Sequence, residues 1–138
     1  MSYGRNYNYH REAVISAAQD FTTSWADLGS EIDMKGFSKM GIFIELDVNA
    51  GQNMRIRALA KMDPAATNEY SLPITSVNAS DVKVEQKYTE FNVDEDANYF
   101  LELNTNGLAP YVQLQVMVGV DGGANAQVDS CEVTKIWI

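Results

Sequence analysis

Only one cysteine, Cys131, and one histidine, His10, occur in these 138 residues. A single cysteine excludes an intramolecular disulfide framework, and with a lone histidine it leaves no Cys/His zinc cluster. Both facts suit assembly in a reducing cytoplasm. No stretch approaches the roughly eighteen apolar residues that a membrane-spanning helix needs. The N-terminus also lacks the charged-then-apolar layout of a secretory signal, so a soluble, unexported protein is expected. Basic residues are scarce as well: ten Lys and Arg stand against nineteen Asp and Glu, a formal net charge of -9. Nucleic acid is therefore not an expected partner, because phosphate binding needs clustered Lys and Arg to displace counterions.

The scarcity is uneven along the chain. MSYGRNYNYHR, residues 1–11, carries Arg5 and Arg11 and no acid, whereas the rest holds the other eight bases and all nineteen acids and so stands at -11. A weakly basic, tyrosine-rich arm leads an acidic body. Another copy of that body is a plausible electrostatic partner for it. A solvated tail is the plain alternative.

From Glu12 onward, apolar and polar residues alternate with period two, and turn residues interrupt every 8 to 12 positions, as in an all-β sandwich or barrel. In GIFIELDVNAGQNMRIRALAKM, Ile42, Ile44, Leu46 and Val48 alternate with Phe43, Glu45 and Asp47. After the NAGQN turn, Met54, Ile56, Ala58 and Ala60 alternate with Arg55, Arg57, Leu59 and Lys61. A hairpin pairing Val48 with Met54 would set Asp47 opposite Arg55 and Glu45 opposite Arg57, each pair contributing a few tenths to about 1 kcal/mol. Further strands are expected at residues 69–74, where Pro73 suggests an edge, and at 82–93, where a phase change near Gln86 suggests a bulge or two short strands. Residues 99–104, 111–120 and 128–138 complete the long strands. Shorter ones are expected at 13–18 and 31–34, with an otherwise loop-like stretch from Asp20 to Gly41 pinned by Phe21, Trp25 and Phe37.

The expected fold is therefore all-β: a single two-sheet antiparallel sandwich, jelly-roll-like, with about eight strands at residues 13–138 and an extended N-terminal arm at 1–12.

Catalytic chemistry is not expected. The lone histidine lies in the arm, away from any Ser or Cys it would have to activate. Cys131 occupies an alternating strand position that suits a small buried hydrophobe. Asp94, Asp96 and Asn98 repeat the start of a calcium loop, but Tyr99 stands where its glycine belongs and Thr105 where its bidentate glutamate belongs. No metal and no cofactor is expected. Asn78-Ala79-Ser80 forms a glycosylation sequon, relevant only in a secreted eukaryotic protein. Trp25, Trp137 and Tyr111 are candidates for a sugar platform, and each also has a structural reading as an anchor of a loop or strand end.

The run SWADLGSEIDMKGFSKMGIFIELDVN, followed by MRIRALAKMD, EYSLPI, PYVQLQV and VDSCEVTKIWI, resembles small β-sandwich virion proteins of tailed bacteriophages, of the capsid decoration or cement type. The resemblance implies a noncatalytic protein on the capsid exterior, assembled in the host bacterial cytoplasm. Its implied partners are the major capsid protein and its own kind, with a trimer favoured, and neither nucleic acid nor membrane. On that reading the arm supplies the grips: Tyr3, Arg5, Tyr7, Tyr9, His10 and Arg11, with Trp25 as a further loop contact. The alternative is a carbohydrate- or receptor-binding module of a phage tail or capsid fiber.

Overall fold

Alternation along each long strand decides which side chains enter the core. In β5 (Lys39–Asp47), Met40, Ile42, Ile44 and Leu46 are buried while Phe43, Glu45 and Asp47 face out. In β12 (Tyr111–Val118), Val112, Leu114, Val116 and Val118 are buried. Tyr99, Leu101 and Leu103 do the same in β11 (Ala97–Asn104), and Val128, Cys131 and Val133 in β13 (Ala126–Ile136). The phase of β13 shifts at a bulge between Val128 and Ser130, and this brings Cys131 inward.

The computed structural model describes residues 10–48, 53–65, 70–78, 84–86, 90–93, 97–118 and 126–137, with backbone alone for 74–78, 84–86, 90–93 and 97. These residues form two antiparallel sheets, with no helix among them. The first sheet runs β1 (His10–Ala13), β13, β5, β11 and β8 (Ile74–Asn78), with β2 (Gln19–Phe21) also paired to β13. The second runs β3 (Ala26–Asp27), β12, β6 (Met54–Lys61), β10 (Glu90–Val93) and β9 (Val84–Gln86), with β4 (Ile32–Asp33) beside β12 and β7 (Tyr70–Ser71) beside β6.

Two of the edges are single strands broken in the middle. β1 and β2 both lie along β13, at Glu132 to Lys135 and at Ala126 to Val128, and the chain leaves the ladder between them. β3 and β4 lie along β12 in the same manner, and the excursion between them drives Leu28 completely into the core. Interrupted edges offer a poor template for a further strand. With each broken pair counted as one, and β7, β8 and β9 set aside as additions at the sheet margins, eight strands remain among the described residues. Numbered in chain order, they stand 1-8-3-6 in the first sheet and 2-7-4-5 in the second, which is jelly-roll order.

The expected hairpin between β5 and β6 does not form. β5 pairs with β13 and β11, and β6 pairs with β12 and β10, so the chain crosses from one sheet to the other between them. Glu45 stands opposite Ser130 and Asp47 opposite Gln127, while Arg57 stands opposite Gln115 and Arg55 opposite Met117. The apolar faces of β5 and β6 meet across the core rather than side by side, and a period-two pattern is equally compatible with either arrangement.

Other boundaries moved. The strand expected at 13–18 lies at His10–Ala13, resuming at Gln19, so His10, Arg11 and Glu12 belong to the sheet edge. The stretch from Asp20 to Gly41 supplies β3, β4, the start of β5 and five core residues, Phe21, Leu28, Ile32, Met34 and Met40. The region near Gln86 does form two short strands, β9 and β10, paired antiparallel.

Candidate functional site

The outer face of the first sheet carries a groove of about 840 Å³, built from the strand positions that alternate with the core. β1 contributes Arg11, β13 Ser130, Glu132 and Thr134, β5 Phe43 and Glu45, and β11 Asn98 and Phe100. Registry brings them together: Phe43 is paired with Phe100 on one side and Glu132 on the other, and Glu45 with Asn98 and Ser130. The two phenyl rings stand 4.8 Å apart between centroids, tilted by 46°. Gly41 explains where Phe100 lies, since a Cβ there would come 2.9 Å from its ring and 3.0 Å from Thr134 Oγ1. The ring fills the space a side chain would take, a common way to cover a strand glycine. Phe43 remains 48% exposed, which makes it the apolar floor open to a partner.

Charge frames this floor. Arg11 sets Nε 2.8 Å and Nη2 2.6 Å from Glu132 Oε2, an exposed ion pair of the kind that contributes about 0 to 1 kcal/mol. Glu45 has no ion-pair partner among the described residues. The groove therefore combines two aromatic rings, a net excess of carboxylate, and the hydroxyl and amide groups of Ser130, Thr134 and Asn98.

Beneath the rim, β1 is clamped to the sheet. Lys135 is only 3% exposed, with Nζ 2.9 Å from Glu12 Oε1, donating to the Asp33 carbonyl at 2.6 Å and standing 4.9 Å from the Phe37 ring centroid. His10 adds a tilted ring contact with Phe37 at 5.9 Å. Two of the expected arm grips, His10 and Arg11, are thus engaged with their own body. Tyr3, Arg5, Tyr7 and Tyr9 lie outside the described residues.

Trp25 sits on the outer face of the other sheet. The Arg57 guanidinium lies 4.0 Å and that of Arg55 5.5 Å from its ring centroid. Arg57 also donates to Gln115 Oε1 through Nε at 2.9 Å and Nη2 at 2.6 Å, and Gln115 Nε2 donates to Asp27 Oδ1. Trp25 is half-buried in this cluster, so it does anchor the stretch before β3. Tyr111 lies four residues along β12 from Gln115, roughly 13 Å away, where its hydroxyl bonds Lys35 Nζ at 2.7 Å and holds that ammonium above its usual pKa. Trp137, 56% exposed, follows β13 and stacks over Gly107, at whose position a Cβ would come 2.6 Å from the ring. Trp25, just before β3, and Tyr111, in β12, lie on the second sheet and Trp137 follows the last strand of the first, so the three do not make one platform.

The remaining candidates have plain placements. Cys131 lies in the core, and burial pushes its thiol up to about 12, with Glu132 adding to the effect; such a thiol is not an activated nucleophile. Asp94 and Asp96 fall outside the described residues, and Asn98 lines the groove. No group of three His, Cys, Asp or Glu among the described residues could hold a metal ion.

Reading the sequence alone missed the groove and the buried lysine. Gly41 two residues before an outward phenylalanine is a signal for the first. A lysine on the core phase after Cys131 and Val133 is a signal for the second.

The strand order defines this chain as a two-sheet jelly roll. No family model matches it, and no curated protein matches it in sequence. Among solved structures it is similar to the crystal structure of the SPBc2 prophage-derived protein YomS, with a TM-score of 0.53, 13% sequence identity and coverage of 94% of each chain. At that identity the likeness is one of fold.

Proposed function

We propose that this chain is a noncatalytic structural protein of a tailed bacteriophage, a capsid decoration protein that stabilises the head by binding between capsid subunits. The observation that carries the reading is the sharing of one fold, over 94% of both chains, with a prophage-derived protein. The shape of the body agrees with the role. Each sheet has one interrupted edge, which keeps it from adding strands indefinitely and leaves the faces and the N-terminal segment as contact surfaces. That segment, with Tyr3, Arg5, Tyr7 and Tyr9, carries residue types enriched at contact hot spots. The partners are the major capsid protein and further copies of the chain, a trimer being favoured, on the capsid exterior after assembly in the host cytoplasm.

The experiment is co-sedimentation of the purified chain with capsids of the phage that encodes it. The full chain binds, and a chain lacking residues 1–9, which spares β1, binds at least tenfold more weakly. Equal binding by both removes the arm from the account, and absence of binding by the full chain removes the decoration role.

A second reading, a carbohydrate- or receptor-binding module, is favoured by the groove, whose volume and mix of rings and polar groups suit a small ligand. On that reading glycan affinity survives deletion of residues 1–9 and is lost with Phe43→Ala, while Trp25→Ala and Trp137→Ala leave it unchanged.

A further inference from the structure

We infer that the groove across the outer face of the first sheet receives residues 1–9 of a second copy of this chain, so that the protein self-associates by exchange of N-terminal segments. The inference rests on the reading of residues 1–11 as a contact arm and names the surface that the arm grips.

The direction of β1 argues for a second copy. Passing backwards from Arg11 to His10, the chain moves from Thr134 toward Lys135, away from the groove centre at Glu132 and Phe43. A segment leaving on that heading must reverse to lie on its own sheet, but meets another molecule's face without reversing. Its reach is sufficient. Nine extended residues span about 30 Å. The groove crosses four neighbouring strands, roughly 14 Å from first to last.

Chemistry selects the same occupant. Residues 1–9 hold Arg5, three tyrosines and no acid, whereas the groove offers Glu45 without an ion-pair partner among the described residues and the exposed Phe43 ring. Arg11, in β1 of the same molecule, already shows how an arginine is held in this groove, with Nε and Nη2 both on Glu132 Oε2. Tyr3, Arg5, Tyr7 and Tyr9 share the odd phase of Arg11, so an extended segment presents all of them on one side. The tyrosines then meet Phe43 and Phe100, and Arg5 meets Glu45, in a partly desolvated contact where a charge pair specifies partner and register.

The test is charge exchange in the full chain, read as the self-association constant by sedimentation equilibrium. Arg5→Glu and Glu45→Arg each weaken association about tenfold or more, and the two together in one chain restore most of it. Circular dichroism of each variant confirms that the body is folded. A wild-type chain that stays monomeric, or single variants that associate like wild type, or a double variant no better than the singles, overturns the inference. Capsid binding by a chain whose self-association ignores both substitutions would sink the groove assignment alone. Self-association that follows the charge exchange without any capsid binding would uphold the groove and sink the decoration reading alone.

Discussion

Glu12 and Lys135 clamp β1 to the body, and removing one partner is not equivalent to removing the other. The Lys135 side chain is 3% exposed and that of Glu12 36%, with 2.9 Å between the charged atoms. Breaking a buried pair from one side costs about 3 to 5 kcal/mol when the survivor stays desolvated. Glu12→Ala leaves the ammonium with only the Asp33 carbonyl and the Phe37 ring, and the partial exposure of the lost carboxylate reduces the expected cost to about 2 to 3 kcal/mol. Lys135→Met keeps the aliphatic stem in place and leaves a carboxylate whose side chain is 36% exposed, so that Glu12, although its Oε1 is buried, can turn toward water at a cost below about 1.5 kcal/mol. The double variant then resembles Lys135→Met alone, a coupling of about 2 kcal/mol between contacting sites. Urea unfolding followed by circular dichroism at pH 7 and 25 °C reads these differences. With a slope of about 2 kcal/mol per molar, Glu12→Ala moves the midpoint down by roughly 1 to 1.5 M. Glu12→Ala costing no more than Lys135→Met, or additive losses in the double variant, would refute the argument that burial of the ammonium sets the asymmetry.

Two further stability predictions rest on the core and the turns. Gly29 has φ +63° and a Cβ there would collide with the Val14 carbonyl oxygen, whereas Gly36, at φ +83°, has nothing within 4 Å. Gly29→Ala should therefore cost about 2 to 4 kcal/mol and Gly36→Ala about 1 to 2 kcal/mol in thermal unfolding, and equal costs would contradict the packing between residues 14 and 29. The Cys131 thiol is raised by burial from 9.0 to about 12 in the folded state, so its contribution is complete below pH 9. It is lost as pH rises toward 12, by up to about 1.4 kcal/mol per pH unit, because the unfolded chain releases that proton first. Stability measured from pH 8 to 11 should fall less steeply for Cys131→Val than for wild type, and parallel curves would place the thiol outside the core.

How far sequence carried the fold is plain from particular strands. β5, β11 and β12 were legible because apolar residues alternate with polar ones along each, in Met40 to Leu46, Tyr99 to Leu103 and Val112 to Val118, although Gln113, on the polar phase of β12, is itself buried with its amide bonded to the Leu114 carbonyl. Partner choice was not legible. The charges of Glu45, Asp47, Arg55 and Arg57 support a hairpin locally, yet a jelly roll sends the two strands to opposite sheets, and nothing within residues 39–61 encodes that crossing. β3 and β4, of two residues each, are too short to show a period, and they exist because β12 offers them an edge. β6 changes phase near its end, where Leu59 and Lys61 are both buried and Lys61 Nζ bonds the Pro64 carbonyl at 3.1 Å and stands 3.5 Å from Glu31. That break needs the loop below it, which alternation cannot see.

The groove was hidden for the same reason. Phe43 reads as an outward residue from β5 alone, but its neighbours come from β1, β13 and β11, which are distant in sequence on either side. Only the strand order places Arg11, Glu132, Phe43 and Phe100 on one face. The tyrosine and arginine phase of the N-terminal segment, by contrast, is visible in the first eleven residues and gains meaning once Arg11 is seen on Glu132.

The decoration role is tested most directly by electron cryomicroscopy of heads from the encoding phage, with and without this chain. The account predicts compact two-sheet density on the capsid exterior between subunits, absent when the chain is missing and restored when purified chain is added back. Heads identical in both preparations, with the chain found on the tail or not on the particle, would contradict it.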